Sequence, residues 1–423
     1  MSIEVEVTGI AAGGAGVGRL PDGRVTFVHR TAPGDRVEVR VVEGRKRWTR
    51  SELVSVRTPS PDRREAPCPY YERCGGCTLE HLTYPAQLRA KSRIVQDALR
   101  RIGGLDAALP ETTPSPRETR YRSRVTFTLR REPAGVVAGF HELEQADRVM
   151  DMTGACLLPE EAVAEAWDAL RAGWGGNASR LPSGPELRLT LRATAQGDVS
   201  LAVDGGYAPG RPDELVDAIP ALRSVWHRSE RARGFTLLAG DPVLEERWGA
   251  DTVQLAGDVF TQVNREAAAL LEAHVLERVA AADPASVLDA YCGVGLYARR
   301  LAGEGVRVVG IEANGAAAAE ARRAAPHATI LDGTVEARLE EALPVDLAIL
   351  NPPRAGLHRR VTELLRRQAP TRLLYVSCDP ATLARDLKRL EGSYRVAGVR
   401  CYDMFPQTAH VETVVELESC ATT

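Results

Sequence analysis

Aromatic residues are scarce in this 423-residue chain: Phe, Trp and Tyr together make up 5% of it. A ligand surface built on stacked rings would have few rings to use, each at a chosen place. Long apolar runs are missing too. No stretch of about 18 uncharged apolar residues occurs, which argues against a membrane-spanning helix. The opening MSIEVEVTGIAAGG has no basic segment followed by a continuous apolar core, so no secretory leader is expected. A cytoplasmic location is expected, and with it eight cysteines that are free thiols or metal ligands rather than disulfides.

Net charge is also nearly absent, at −3. Divided along the chain, it is informative. Residues 1–132 carry 24 Lys and Arg against 16 Asp and Glu, and the rest carries 30 against 41. A basic front on an acidic body suggests a polyanion-binding face attached to something else.

Residues 1–57 read as short alternating strands (IEVEV, RVTFV, RVEVRVV) separated by Gly and Pro turns. Five strands in so few residues predict a small closed barrel of the OB type, with Arg45, Lys46, Arg47 and Arg50 as a basic face. The GGAGVG cluster lacks the Gly-Lys-Ser/Thr of a phosphate loop and is expected to be a barrel turn. The amphipathic stretch 85–104 predicts a helix with Leu88, Ile94, Leu99 and Ile102 on its apolar side. Strands dominate from Tyr121 to about Ala250, and from about Asp251 strands and helices alternate, the pattern of a doubly wound parallel sheet. The expected organisation is α/β: a barrel over 1–58, a β-rich central domain with a cysteine cluster over 59–250, and a Rossmann-like sheet over 251–423. Helix 85–104 is expected to pack on the last of these.

Ligands of doubly wound sheets collect at the carboxyl ends of the strands. The first strand ends in Asp289-Ala290-Tyr291-Cys292-Gly293-Val294-Gly295, a glycine turn without the third glycine of a dinucleotide site. The second ends in Glu312, suited to a ribose diol, and the third in Asp332, suited to an adenine amine. Together these fit S-adenosylmethionine. The fourth ends in Asn351-Pro352-Pro353-Arg354, where two prolines stiffen a loop against a planar substrate; Asn351 is placed with the cofactor and Arg354 with the substrate. Similar Asn-Pro-Pro elements serve methylation of exocyclic nitrogens, the runner-up reaction. The fifth ends in Ser377-Cys378-Asp379-Pro380, with Asp379 as cap and Cys378 at a helix N-terminus that would lower its thiol pKa. An unreactive pyrimidine carbon needs such a nucleophile before it can accept a methyl group. It also needs a carboxylate to remove the C5 proton afterwards, for which Glu412 is the candidate, with His410 expected two residues earlier on the same strand face.

Cys68, Cys74 and Cys77, with Cys156 downstream, form a C-x5-C-x2-C plus one pattern that suits a [4Fe–4S] cluster better than zinc. Arg120, Arg122 and Arg124 alternate along a predicted strand and would share one side of it, facing a phosphate backbone.

These motifs, in this order, resemble the uracil-C5 RNA methyltransferase family: the barrel resembles a TRAM domain, and Phe260-Thr261-Gln262-Val263-Asn264, Asp289 to Gly293, Asn351 to Arg354, Ser377 to Pro380 and His410-Val411-Glu412 match its motifs. The resemblance implies Cys378 as nucleophile, Glu412 as base, Gln262, Tyr291 and Glu312 as S-adenosylmethionine contacts, Phe260 against the target base, and the four cysteines as an iron–sulfur site. Gly293, Asp332 and Asn351 complete the expected cofactor set; Arg122, Arg354 and His410 complete the expected RNA set. Two positions depart from the family pattern: Asn351 stands where Asp is common, and Leu296 where several members carry Asn. The implied substrate is structured RNA, ribosomal RNA before transfer RNA because of the barrel, with no membrane and no obligate protein partner. The competing reading is a cluster-bearing RNA-binding protein whose active site has lapsed, which intact Cys378 and Glu412 oppose.

Overall fold

The computed structural model describes residues 2–248, 251–257, 259, 261–302 and 305–420. Two compact units divide the chain. One holds Met1–Pro67, Cys77–Glu118 and Glu266–Thr423; the other holds Cys68–Gly76 and Thr119–Arg265.

In the first unit, strands β1 (Ile3–Ile10), β2 (Gly16–Arg19), β3 (Val25–Val28), β4 (Arg36–Gly44) and β5 (Trp48–Thr58) close a barrel in the order β1-β2-β3-β5-β4. Their alternation turns Val5, Val7, Val28, Val37 and Val39 inward with Leu20. The glycine cluster opens β2, not a helix. A Cβ on Gly16 would lie 1.9 Å from Thr31 Oγ1 and one on Gly18 2.3 Å from Val5 Cγ1, so these glycines let strands approach closely. Arg45, Lys46 and Arg47 are exposed at the β4–β5 turn; Arg50 is half-buried.

Helix α1 (Tyr84–Ala98) continues into a π-helical turn, Leu99–Gly103, and stops at Gly104, whose φ is 71°. The wider turn shifts the helical phase, and Ile102, expected on the apolar side, is 42% exposed. The short strand β6 (Thr112–Thr113) follows.

The second unit holds β7 (Arg124–Glu132), β8 (Gly135–Gly139), β9 (His141–Glu142), β10 (Gln145–Val149), α2 (Glu161–Gly173), β11 (Glu186–Ala193), β12 (Val199–Asp204), α3 (Pro212–Ala218), β13 (Leu222–Arg228), β14 (Thr236–Gly240), β15 (Leu244–Trp248) and β16 (Asp251–Leu255). Six strands form one sheet, β14-β13-β12-β11-β7-β8. Its core is Phe127, Leu189, Leu201 and Val225 under α2, with Trp167 stacked on Phe127 at 4.0 Å between ring centroids. The expected arginine face is not formed. β7 begins only at Arg124; Arg120 has φ 52° and donates to the carbonyls of Cys156 (2.9 Å) and Pro159 (3.4 Å). Strand alternation therefore does not extend through Arg120 and Arg122.

Returning to the first unit, α4 (Arg265–Ala282) leads into β17 (Ser286–Ala290), α5 (Leu296–Ala302), β18 (Arg307–Glu312), α6 (Gly315–Ala324), β19 (Thr329–Asp332), α7 (Val335–Ala342), β20 (Leu347–Leu350), α8 (Arg359–Arg367), β21 (Arg372–Ser377), α9 (Pro380–Leu390), β22 (Tyr394–Tyr402) and β23 (Glu412–Ser419). The sheet order is β19-β18-β17-β20-β21-β23-β22-β6, parallel through β21 and antiparallel at β23. Successive residues face opposite sides. Leu288, Ile311, Ala348 and Tyr375 pack with α1, α7, α8 and α9, while Val287, Ile349, Val376 and Val414 pack with α4, α5 and α6. Both faces are covered, which is why these strands read as continuous apolar runs. No described helix is long and apolar enough to cross a membrane.

Candidate active site

The carboxyl ends of β17 and β18 meet at a tight backbone turn. After β17 the chain turns through Tyr291 (φ 63°), Gly293 (φ 57°) and Gly295 (φ 81°), three left-handed residues in five. Such a conformation is strained for Tyr291 and free for glycine. Glu312 locks the turn: one carboxylate oxygen accepts Gly293 N–H at 2.9 Å, the other Asn314 N–H at 2.7 Å. Each oxygen keeps lone pairs for a diol in a fixed orientation. Asp332 pairs with Glu312 across β18 and β19, so the two acids stand side by side at the strand ends, and Asp332 is exposed. Asn351, half-buried, ends β20, where its N–H reaches Ala290 O at 3.4 Å. Asp289 lies beneath the turn, 1% exposed, accepting Ala298 N–H from α5 at 3.2 Å. Burial pushes its carboxyl up to about 7 against the pull of that bond, and Glu312 adds to the rise.

The second cluster lies where β21 meets β23. Their antiparallel register ends with Ser377 paired to Thr413; Cys378 follows β21 and Glu412 opens β23, near enough for the Glu412 charge to act on the thiol. Asp379 caps α9 by accepting Ala381 N–H (3.0 Å) and Thr382 N–H (2.8 Å), which fixes the turn carrying Cys378. Glu412 is 3% exposed, and burial pushes its carboxyl up to about 8, opposed by the Arg354 guanidinium. Cys378 is half-buried. Its thiol sits above its ordinary value because of burial first and the Glu412 carboxylate second, with Arg354 pulling it down. The lowered thiol expected from the helix N-terminus is thus overturned: burial and a facing carboxylate outweigh it. Arg354 itself is exposed, in the loop after β20. That loop is held from α9 by Asp386, which accepts Leu357 N–H at 2.7 Å, and by Arg385, which donates to Ala355 O at 2.7 Å. The structure brings together a thiol, a buried acid and a cation that favours the ionised form of both.

A family model for tRNA (uracil-5-)-methyltransferases matches residues 336–420, which include Cys378 and Glu412, and one for the TRAM domain matches residues 2–54. An RNA methyltransferase of Gloeobacter violaceus is 36% identical over 445 residues, covering 99% of this chain and 96% of its own length. The chain belongs to the RNA uracil-C5 methyltransferase family. An RNA methyltransferase of Streptomyces coelicolor is 35% identical over 99% of this chain and 93% of its own. Among solved structures, the Pyrococcus abyssi tRNA (uracil-54, C5)-methyltransferase in complex with S-adenosyl-L-homocysteine superimposes with a TM-score of 0.76 at 28% identity, over 98% of this chain and 99% of that one.

The remaining expected site residues of the methyltransferase are placed as follows. His410 lies in the loop before β23, exposed, its ring edge-on to Phe405 at 5.8 Å; the strand starts only at Glu412, so the shared strand face expected for the two is not formed. Gln262 is half-buried in a loop of the second unit, and Arg122, also half-buried there, donates to Tyr121 Oη at 3.4 Å. Phe260 lies outside the described residues. Cys68, Cys74 and Cys156 belong to the second unit and Cys77 to the first. Burial raises the Cys156 thiol to about 12, and Cys68 and Cys74 are near enough to add to the rise. The soft donors suit an iron–sulfur cluster or zinc. Among the described residues no set of three or more His, Cys, Asp or Glu side chains is placed to hold a metal ion.

Sequence reasoning missed Asp289 as a support and Tyr297, buried, whose phenol is held protonated by burial first and then by nearby charges that include Asp289 and Glu412. Asp289 had a signal, a lone acid inside an apolar strand; Tyr297 had none.

Proposed function

We propose that this methyltransferase transfers a methyl group from S-adenosylmethionine to C5 of a uridine in structured RNA, by way of a covalent bond between Cys378 and uracil C6. The placement of Cys378 near a buried Glu412 carries the reading, because N-methylation needs neither. Bound S-adenosylmethionine supplies an electrophilic methyl group. The Gly293–Gly295 turn, Glu312 and Asp332, with Tyr291 and Asn351, are proposed to hold it; the S-adenosyl-L-homocysteine in the Pyrococcus neighbour supports this.

The Cys378 thiolate adds to C6, and the electrons of the C5=C6 bond make C5 nucleophilic toward the methyl group. Arg354 favours the thiolate and the carboxylate. Glu412 then takes the C5 proton; the C–H electrons rebuild C5=C6 and expel the Cys378 thiolate. Phe260, Arg122 and His410, with the basic β4–β5 turn, are proposed to contact the RNA around the extruded base.

Ribosomal RNA is the proposed substrate, on the strength of the N-terminal barrel. Transfer RNA is the second reading, favoured by the Pyrococcus neighbour, which is named for a tRNA position and aligns with 98% of this chain. RNA containing 5-fluorouridine should trap wild-type protein as an adduct stable in denaturant, and Cys378→Ala should bind without trapping; absence of the wild-type adduct overturns the proposal. Mapping 5-methyluridine in RNA from a strain lacking the protein identifies the RNA. The four cysteines are proposed to hold a [4Fe–4S] cluster, supported by the donor chemistry alone. Iron and acid-labile sulfide measured in anaerobically purified protein test it, and zinc in their place overturns it.

A further inference from the structure

Glu412 is delivered by a segment without regular structure, Asp403 to Val411, between β22 and β23. Irregular backbone is rarely buried because its polar groups need partners. Here all of it except Phe405 and His410 is buried. The partners come from one face of α1, where Tyr84, Gln87 and Lys91 are spaced three and four residues apart. Lys91 and Asp403 form an ion pair with both side chains fully buried, and Lys91 Nζ also donates to Phe405 O at 3.0 Å. The Tyr84 hydroxyl accepts Ser115 N–H at 2.7 Å and lies beside Asp403, whose charge helps hold its proton.

Gln407 is the centre of this arrangement. It is fully buried and left-handed, with φ 70°. Its side-chain oxygen accepts from Arg64 (2.7 Å) and Gln87 (2.9 Å), and its side-chain nitrogen donates to Glu118 O (3.0 Å). Its backbone N–H donates back to the Gln87 side chain (2.9 Å), and its carbonyl accepts from Thr78 N–H (3.0 Å) and Leu79 N–H (2.9 Å). Six hydrogen bonds thus tie one residue, five positions before Glu412, to four separate stretches of chain. Thr78 Oγ1 anchors the next step by accepting Ala409 N–H at 3.2 Å.

We propose that Gln407, clamped by Gln87 and supported by the Lys91–Asp403 pair, is a positioning residue that sets the Glu412 carboxyl for removal of the C5 proton. The inference rests on the functional reading above. Because methyl transfer precedes proton removal, loosening the clamp slows only the second half of the reaction. The methylated intermediate, still bonded from Cys378 to C6 and still carrying its C5 proton, then builds up.

The experiment compares wild type, Gln407→Leu and Gln87→Leu on unmodified RNA with S-adenosylmethionine, following 5-methyluridine release, the denaturant-stable adduct and S-adenosylhomocysteine affinity. Gln87→Leu removes only helix-side bonds and serves if Gln407→Leu does not fold. Expected are turnover reduced by up to about 100-fold, cofactor affinity within about twofold, and a larger adduct fraction than wild type during turnover. Wild-type turnover in both variants, or turnover lost without extra adduct, overturns the inference. Wild type that makes neither 5-methyluridine nor adduct overturns the functional reading, and this inference with it.

Discussion

Replacing Glu412 with Gln should stabilise the folded protein while disabling it. In the unfolded chain a glutamate ionises near 4.5; here burial holds the Glu412 proton to about 8. Between those values the unfolded state has released a proton that the folded state keeps. Raising the pH through this window therefore favours unfolding, and the group's destabilising effect is fully developed above about 8. The slope is about 1.4 kcal/mol per pH unit, and the span implies a total on the order of 5 kcal/mol. Gln fills the same space without titrating. The measurement is urea unfolding of both proteins at several values between pH 5 and 9, read as the difference in midpoint at constant denaturant slope. The two should coincide near pH 5 and diverge steadily, the Glu412→Gln protein being the more stable at alkaline pH. Asp289, also raised by burial, is common to both and cancels in the difference. Parallel pH profiles would refute the reasoning, since they would mean that Glu412 ionises alike in folded and unfolded protein. In turnover the same variant should form the adduct and fail to release it.

Arg354→Gln removes the cation that pulls both the Cys378 thiol and the Glu412 carboxyl down, so the acidic limb of the pH–rate profile should move to higher pH; an unmoved limb separates Arg354 from both groups. Lys91→Met leaves the Asp403 carboxylate buried without its cation and should destabilise the fold by about 3–5 kcal/mol, measured by denaturant unfolding, whereas a loss below about 1 kcal/mol would make the pair dispensable. Glu312→Ala releases the Gly293 and Asn314 N–H groups together and should weaken S-adenosylhomocysteine binding by at least about tenfold in calorimetry, with the adduct to 5-fluorouridine RNA weakened far less when cofactor is saturating.

Much of this arrangement was legible in the residues because the chemistry sits at strand ends, and strand ends follow from apolar runs. The strand ends that carry Cys378, Glu312 and Asp332 are legible that way. Glu412 is singled out by the needs of the proposed reaction, and the β21–β23 pairing explains why it lies near the thiol. The errors share a cause, long-range packing. The thiol's rise comes from burial first and then from a carboxylate 34 positions later in the chain, neither of which a local dipole argument contains. Arg120 and Arg122 alternate in the sequence, but the bonds from Arg120 to the 156–159 carbonyls pull the backbone out of strand geometry. Gln87 and Lys91 are polar residues of the amphipathic helix α1. Their partners lie more than 300 residues away, at Gln407 and Asp403, and composition gives no hint that so polar a face is dry.

The eighth strand of the large sheet has a consequence for biosynthesis. β6 is two residues long and pairs with β22, and α1, just before it, needs the 403–407 loop, so early chain completes what late chain builds. Lys91 leaves the ribosome 312 residues ahead of Asp403, an interval of roughly 15–60 s at ordinary elongation rates. During that wait Val95 and Leu99 lack the later strands and helices that cover them, while the small core of the barrel is drawn from residues 1–58 alone. The thiol and the nearby acid can come together only when translation is almost finished.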